Sequence, residues 1–106
     1  MNKPEERFRY VWQYTIDPAH RDAFLAAYRP GGDWARLFAQ APGYVETLLL
    51  RDADRTDVYL TVDVWQSRDQ CLAFRRRYAE EFSALDARCE SYTLDERFVG
   101  DYLDVP

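Results

Sequence analysis

Histidine and cysteine are nearly missing from this chain, which holds one histidine, His20, and two cysteines, Cys71 and Cys89. With no CxxC spacing and no Cys/His cluster, the usual zinc sites cannot be assembled. One histidine and no nucleophile motif also exclude the Ser-His-Asp and Cys-His arrangements. Glycine is scarce too, at four residues. The pair Gly31-Gly32 follows Pro30 and lacks the lysine of a phosphate loop. No apolar run approaches membrane-spanning length, and the start, MNKPEERFRY, has no leader-like apolar stretch. Positive charge is in deficit: 14 Lys and Arg stand against 19 Asp and Glu, a net charge of −5. Such a chain repels phosphate backbones, so neither nucleic acid nor a membrane is expected as a partner. The run Arg75-Arg76-Arg77 is a local exception, and on a helix it fans around the circumference as a solvated face. These features predict a cytoplasmic protein, with Cys71 as a small core residue.

Aromatic residues are what the chain has in excess: eight Tyr, six Phe and three Trp make 16% of it, within a hydrophobic share of 47%. That load implies a thick core or a bulky apolar cavity. At 106 residues the length predicts a single domain over 1–106, with a core at about 7–100 and a tail at 101–106.

Periodicity predicts the elements. Phe8, Tyr10, Trp12, Tyr14 and Ile16 alternate with Arg9, Val11, Gln13 and Thr15, a strand with one aromatic face. Asp17-Pro18 is a cap followed by the residue favoured at a first helical position. The helix that follows carries Phe24, Leu25 and Tyr28 and breaks at Pro30-Gly31-Gly32. Asp33 caps a second piece with Trp34, Leu37, Phe38 and Ala41 at helical spacing, ended by Pro42-Gly43. Residues 44–51 predict a second strand, whose Leu48-Leu49-Leu50 implies burial on both faces. A polar loop at 52–57 leads into VYLTVDVW, where Val58, Leu60, Val62 and Val64 alternate with Tyr59, Thr61, Asp63 and Trp65. Ser67 and Gln70 then form a capping-box pair. One helix is expected beyond, through Cys71, Phe74, Tyr78, Phe82 and Leu85. A last strand is expected from about residue 90 to 99.

The order is β-α-β-β-α-β, a ferredoxin-like α+β arrangement: a four-stranded antiparallel sheet with its helices on one face. Apolar side chains occupy both faces of the strands. The face without helices therefore calls for a cover, and a second copy of the same sheet is the simplest one.

Several residues can carry chemistry. Asp63 is an acid within an apolar strand, suited to be a base toward a phenolic proton if buried, or else an ion-pair partner of Arg51 or Arg97. Trp65 and Trp34 can each stack on a flat aromatic ligand or simply fill the core. Tyr10, Trp12 and Tyr14 share a face that would line either a planar cavity or a dimer interface. His20 can shuttle protons, but its place in a first helical turn predicts exposure.

Three stretches taken in order resemble the antibiotic biosynthesis monooxygenase-like family of dimeric α+β barrels. They are GDWARLF leading to PGY and the leucine-rich strand ending in Arg51-Asp52, then Val64-Trp65-Gln66-Ser67 with Phe74 beyond, and the closing Phe98-Val99-Gly100. The resemblance implies a homodimer with sheets face to face and a pocket in each subunit between sheet and helices. It also implies either oxygenase chemistry on phenols or quinols without metal or flavin, or haem degradation. The chain departs from the haem degraders, with no His on the second helix and Gln13 rather than Asn on the first strand. Trp65 matches a Trp found at a strand end in the family.

The expected function is therefore oxygenation of a small aromatic substrate with no cofactor, in an apolar pocket. The alternative is a non-catalytic binding or structural homodimer. An RNA-recognition module shares the strand order but is excluded by the acidic charge and by the missing aromatic motif with basic flanks.

Overall fold

A computed structural model describes residues 6–106, so the first five residues lie outside it. Four strands, β1 (Phe8–Ile16), β2 (Tyr44–Arg51), β3 (Val58–Trp65) and β4 (Thr93–Leu103), form one antiparallel sheet in the order β2-β3-β1-β4. The helices are α1 (Arg21–Tyr28), α2 (Asp33–Phe38), α3 (Arg68–Arg77) and α4 (Ala79–Cys89), with short 3-10 turns at Pro18–His20 and Glu90–Tyr92. This is the α+β ferredoxin-like architecture that the pattern predicts.

Local chemistry sets the element ends. The Asp17 side chain accepts from the Ala19 N–H at 3.0 Å, with Pro18 behind it, so the chain turns at once after β1. Ser67 accepts from the Gln70 N–H at 3.2 Å and starts α3 two residues after β3 ends. Gly43 takes φ +93°, a left-handed conformation that favours glycine, and its carbonyl accepts from the Gln66 N–H at 2.7 Å. That bond ties the start of β2 to the end of β3.

Two boundaries differ from expectation. The single helix expected after β3 is two, because Tyr78 leaves helical geometry (φ −108°, ψ 28°) between α3 and α4. The last strand does not stop at residue 99. A bulge beside Val11 and Trp12 lets β4 run on, so that Asp101 faces Tyr10 and Leu103 faces Phe8. Residues 101–103 are therefore strand. Asp104 is tied down as well: its N–H donates to the Arg7 carbonyl at 3.0 Å, and its carboxylate accepts from Arg9 at 2.7 Å.

Register decides which side chains meet. Phe8, Tyr10, Tyr14 and Ile16 of β1, with Tyr59, Thr61, Asp63 and Trp65 of β3, are buried. They turn toward the helices and meet Phe24, Tyr28, Phe38 and Phe74 there. The other sheet face is unevenly covered. Leu48 is 36% exposed and Leu50 50%, and Leu49 is half-buried, so no leucine of the β2 triplet is fully buried.

Candidate active site

Sequence alternation and antiparallel pairing bring Tyr10, Asp63 and Thr47 side by side, because Tyr10 faces Asp63 and Asp63 faces Thr47 across the ladders. The next row pairs Trp12 with Thr61 in the same way. Above these rows lies a cavity of about 230 Å³. Its floor is Tyr10, Trp12, Tyr14, Thr47, Thr61 and Asp63, with Glu96 of β4 beside them. Its roof comes from all four helices: Tyr28, Trp34 and Phe38, then Arg75, Phe82 and Asp86. Aromatic edges hold the roof, Trp34 meeting Phe82 at 4.9 Å between ring centres and Phe38 meeting Phe74 at 5.2 Å.

Asp63 is the chemical centre of this space. It is 6% exposed, and Oδ1 accepts a hydrogen bond from the Thr47 hydroxyl at 2.7 Å. The Thr47 oxygen in turn lies 2.7 Å from the Tyr44 hydroxyl. Thr47 has one proton to donate and gives it to Asp63, so Tyr44 is the donor to Thr47. Burial pushes the Asp63 carboxyl up to about 7, against the opposing pull of the Thr47 hydrogen bond and of the Arg75 charge. Neither Arg51 nor Arg97 pairs with it within the chain, among the described residues. Burial also raises the Tyr10, Tyr14 and Tyr28 hydroxyls well above the usual phenol range. These groups remain protonated donors at neutral pH.

The sequence candidates divide. Asp63, Tyr10, Trp12, Tyr14 and Trp34 come together around the cavity. Trp65 does not. It is fully buried beneath α2 and α3, packed against Phe38, Tyr44 and Phe74 at 5.3–5.9 Å. His20 sits away from the cavity in a 3-10 turn beside Asp17. Arg75 is exposed, as the arginine run predicts, and it also reaches over the Tyr10 ring at 5.0 Å and the Phe82 ring at 5.5 Å. Its signal was helical spacing, since Arg75 stands four residues beyond Cys71 on the same face. Thr47, Tyr28, Phe82, Asp86 and Glu96 were not singled out either. For Thr47 the signal lay in its register opposite Asp63, which only the strand pairing reveals. Among the described residues no three His, Cys, Asp or Glu side chains gather as a metal-ligand set. No helix among them is long and apolar enough to cross a membrane.

The sequence pattern of the antibiotic biosynthesis monooxygenase family matches residues 7–85. Deoxynogalonate monooxygenase of Streptomyces nogalater is 41% identical over 46 residues, which is 43% of this chain and 36% of that protein. The match thus spans about a third of that relative's length. The crystal structure of SnoaB, a cofactor-independent oxygenase from Streptomyces nogalater, superposes with a TM-score of 0.70 at 25% identity over 95% of each chain. A Pseudomonas aeruginosa protein superposes at 0.73 with 11% identity, over 99% of this chain and 100% of its own, a likeness of fold.

Proposed function

The chain belongs to the antibiotic biosynthesis monooxygenase family, and from that premise we propose that it is a cofactor-independent monooxygenase of a small phenol or quinol, with Asp63 as its base. The observation that carries this reading is a buried carboxyl, poised near neutrality, facing an aromatic-walled cavity. A base is most effective when its pKa lies near the working pH. The similarity to SnoaB, a cofactor-independent oxygenase, supports the same class of chemistry.

Asp63 takes the phenolic proton and leaves an electron-rich anion among protonated tyrosines. Tyr10, Tyr14 and Tyr28 donate toward its oxygen, and the aromatic walls exclude water. The anion passes one electron to O₂. The resulting radical and superoxide combine at an activated ring carbon that carries a hydrogen, and the peroxide anion formed takes the proton back from Asp63 to become the hydroperoxide. Loss of water then leaves a new carbonyl, with one oxygen atom in the product and one in water. Trp12 and Trp34 orient the flat substrate by stacking.

The open sheet face supports a homodimer. Leu48 and Leu50 are exposed there, with Leu60 and Val62 half-buried in the adjacent strand. We place a second copy of this sheet against them, making a homodimer. Cys71 and Cys89 are both free and buried, as suits a reducing, cytoplasmic setting.

Oxygen uptake tests the function. With a panel of anthrones and hydroquinones and no added metal or flavin, the protein should consume O₂ and form the quinone above the uncatalysed rate. Binding of the same compounds without turnover would instead support the non-catalytic dimer.

A further inference from the structure

The cavity above Asp63 does not end at Arg75. A second cleft of about 390 Å³ lies on the other side, between α3 and strands β1 and β4. Tyr10, Trp12 and Arg75 wall both spaces, while Phe8, Leu72 and Phe98 give the cleft its apolar sides. The inner cavity, at about 230 Å³, is smaller than the roughly 300–1,000 Å³ usual for a small-molecule site. Past Arg75, this cleft offers added length to a ligand larger than the inner cavity.

Charge differs between the two spaces. The inner cavity sets the carboxyls of Asp63, Asp86 and Glu96 against the single charge of Arg75, a balance that disfavours an anion. The cleft holds Arg68, Arg75 and Asp101. Arg68 and Asp101 already pair with each other at 3.1 Å. Arg75 forms no ion pair among the described residues; it lies over the faces of Tyr10 and Phe82 and beside the Cys71 thiol. Stacking of that kind leaves the N–H edge of a guanidinium open to a planar carboxylate.

We propose that Arg75 is a specificity-determining residue: it grips a carboxylate on the far end of an elongated aromatic ligand, whose neutral phenol end lies over Asp63. The two charge environments set the orientation, with phenol inward and carboxylate outward. This rests on the inner cavity being the phenol site, but not on turnover.

The test is equilibrium binding, read by quenching of tryptophan fluorescence, with two probes that cannot be oxidised further at the central ring. One is a dihydroxyanthraquinone and the other is its carboxylic acid derivative. Wild-type protein should bind the acid about tenfold more tightly than the neutral compound, the scale of one hydrogen-bonded charge. Arg75→Gln should abolish that preference, weakening the acid by about tenfold more than the neutral compound. Arg76→Gln, at an exposed position outside both spaces, should keep the preference. The proposal is overturned if wild type shows no preference for the acid, if Arg75→Gln weakens both probes equally in a protein whose melting is unaltered, or if neither probe binds. Loss of oxygenase activity from the account would leave a measured Arg75-dependent preference standing. Turnover without that preference would remove the Arg75 proposal alone.

Discussion

Thr47 donates its hydroxyl proton to Asp63 across 2.7 Å, from the position directly opposite on the neighbouring strand. The bond fixes the carboxyl over the cavity and favours its ionised form, working against the burial that raises it. Thr47→Val keeps the shape and removes the donor. The acid limb of the pH–rate profile for kcat/KM should then move to higher pH, by about one unit for a hydrogen bond to a charged group. An unmoved limb in a folded variant would show that Thr47 does not tune the base.

Asp63 also ties stability to pH. Its carboxyl is raised from 3.8 to about 7 on folding, so the folded state holds a proton that the unfolded chain releases between those values. Stability therefore falls as pH rises from about 4 to about 7 and is level above that, with a total effect of up to about 4 kcal/mol. Asp63→Asn has no charge to bury. It should melt higher than wild type at about pH 8, and the advantage should shrink as pH falls and vanish at about pH 4 and below, where the carboxyl is protonated in both the folded and the unfolded chain. Equal destabilisation at both pH values would contradict the assignment.

Trp65 and Trp34 should separate by experiment. Trp65 packs in the core away from the cavity, so Trp65→Ala should cost about 3–5 kcal/mol in chemical denaturation. Trp65→Phe should leave substrate KM nearly unchanged. Trp34 lines the cavity, and Trp34→Phe should raise KM through lost stacking area.

The strand order and the aromatic face of β1 were readable because alternation is strict there and Asp17-Pro18 marks the turn. The placement of Asp63 inside the protein was readable for the same reason: it shares a face with Tyr59, Thr61 and Trp65. The break at Tyr78 was hidden, since Cys71, Phe74, Tyr78, Phe82 and Leu85 keep helical spacing across it. The continuation of β4 through Gly100 was hidden by the bulge, which shifts the alternation by one residue. Arg75 was hidden by its neighbours. An arginine run reads as solvated, yet only Arg76 and Arg77 lie outside both cavity walls.

The homodimer makes its own prediction. Sedimentation should give twice the 12.6 kDa mass of the chain. Replacing Leu48 and Leu50 together by lysine should yield a monomer, because the change puts two charges on the apolar face. A wild-type monomer at micromolar concentration would contradict the face-to-face assembly.

The most direct measurement is the pH dependence of O₂-dependent oxidation of an anthrone by wild type and by Asp63→Asn, with no metal or flavin added. Wild-type kcat/KM should rise through about pH 7, and Asp63→Asn should lose roughly 10²–10⁴-fold of the rate while its circular dichroism is unchanged. A folded Asp63→Asn protein that oxidises the anthrone at the wild-type rate would contradict the role of Asp63 as base.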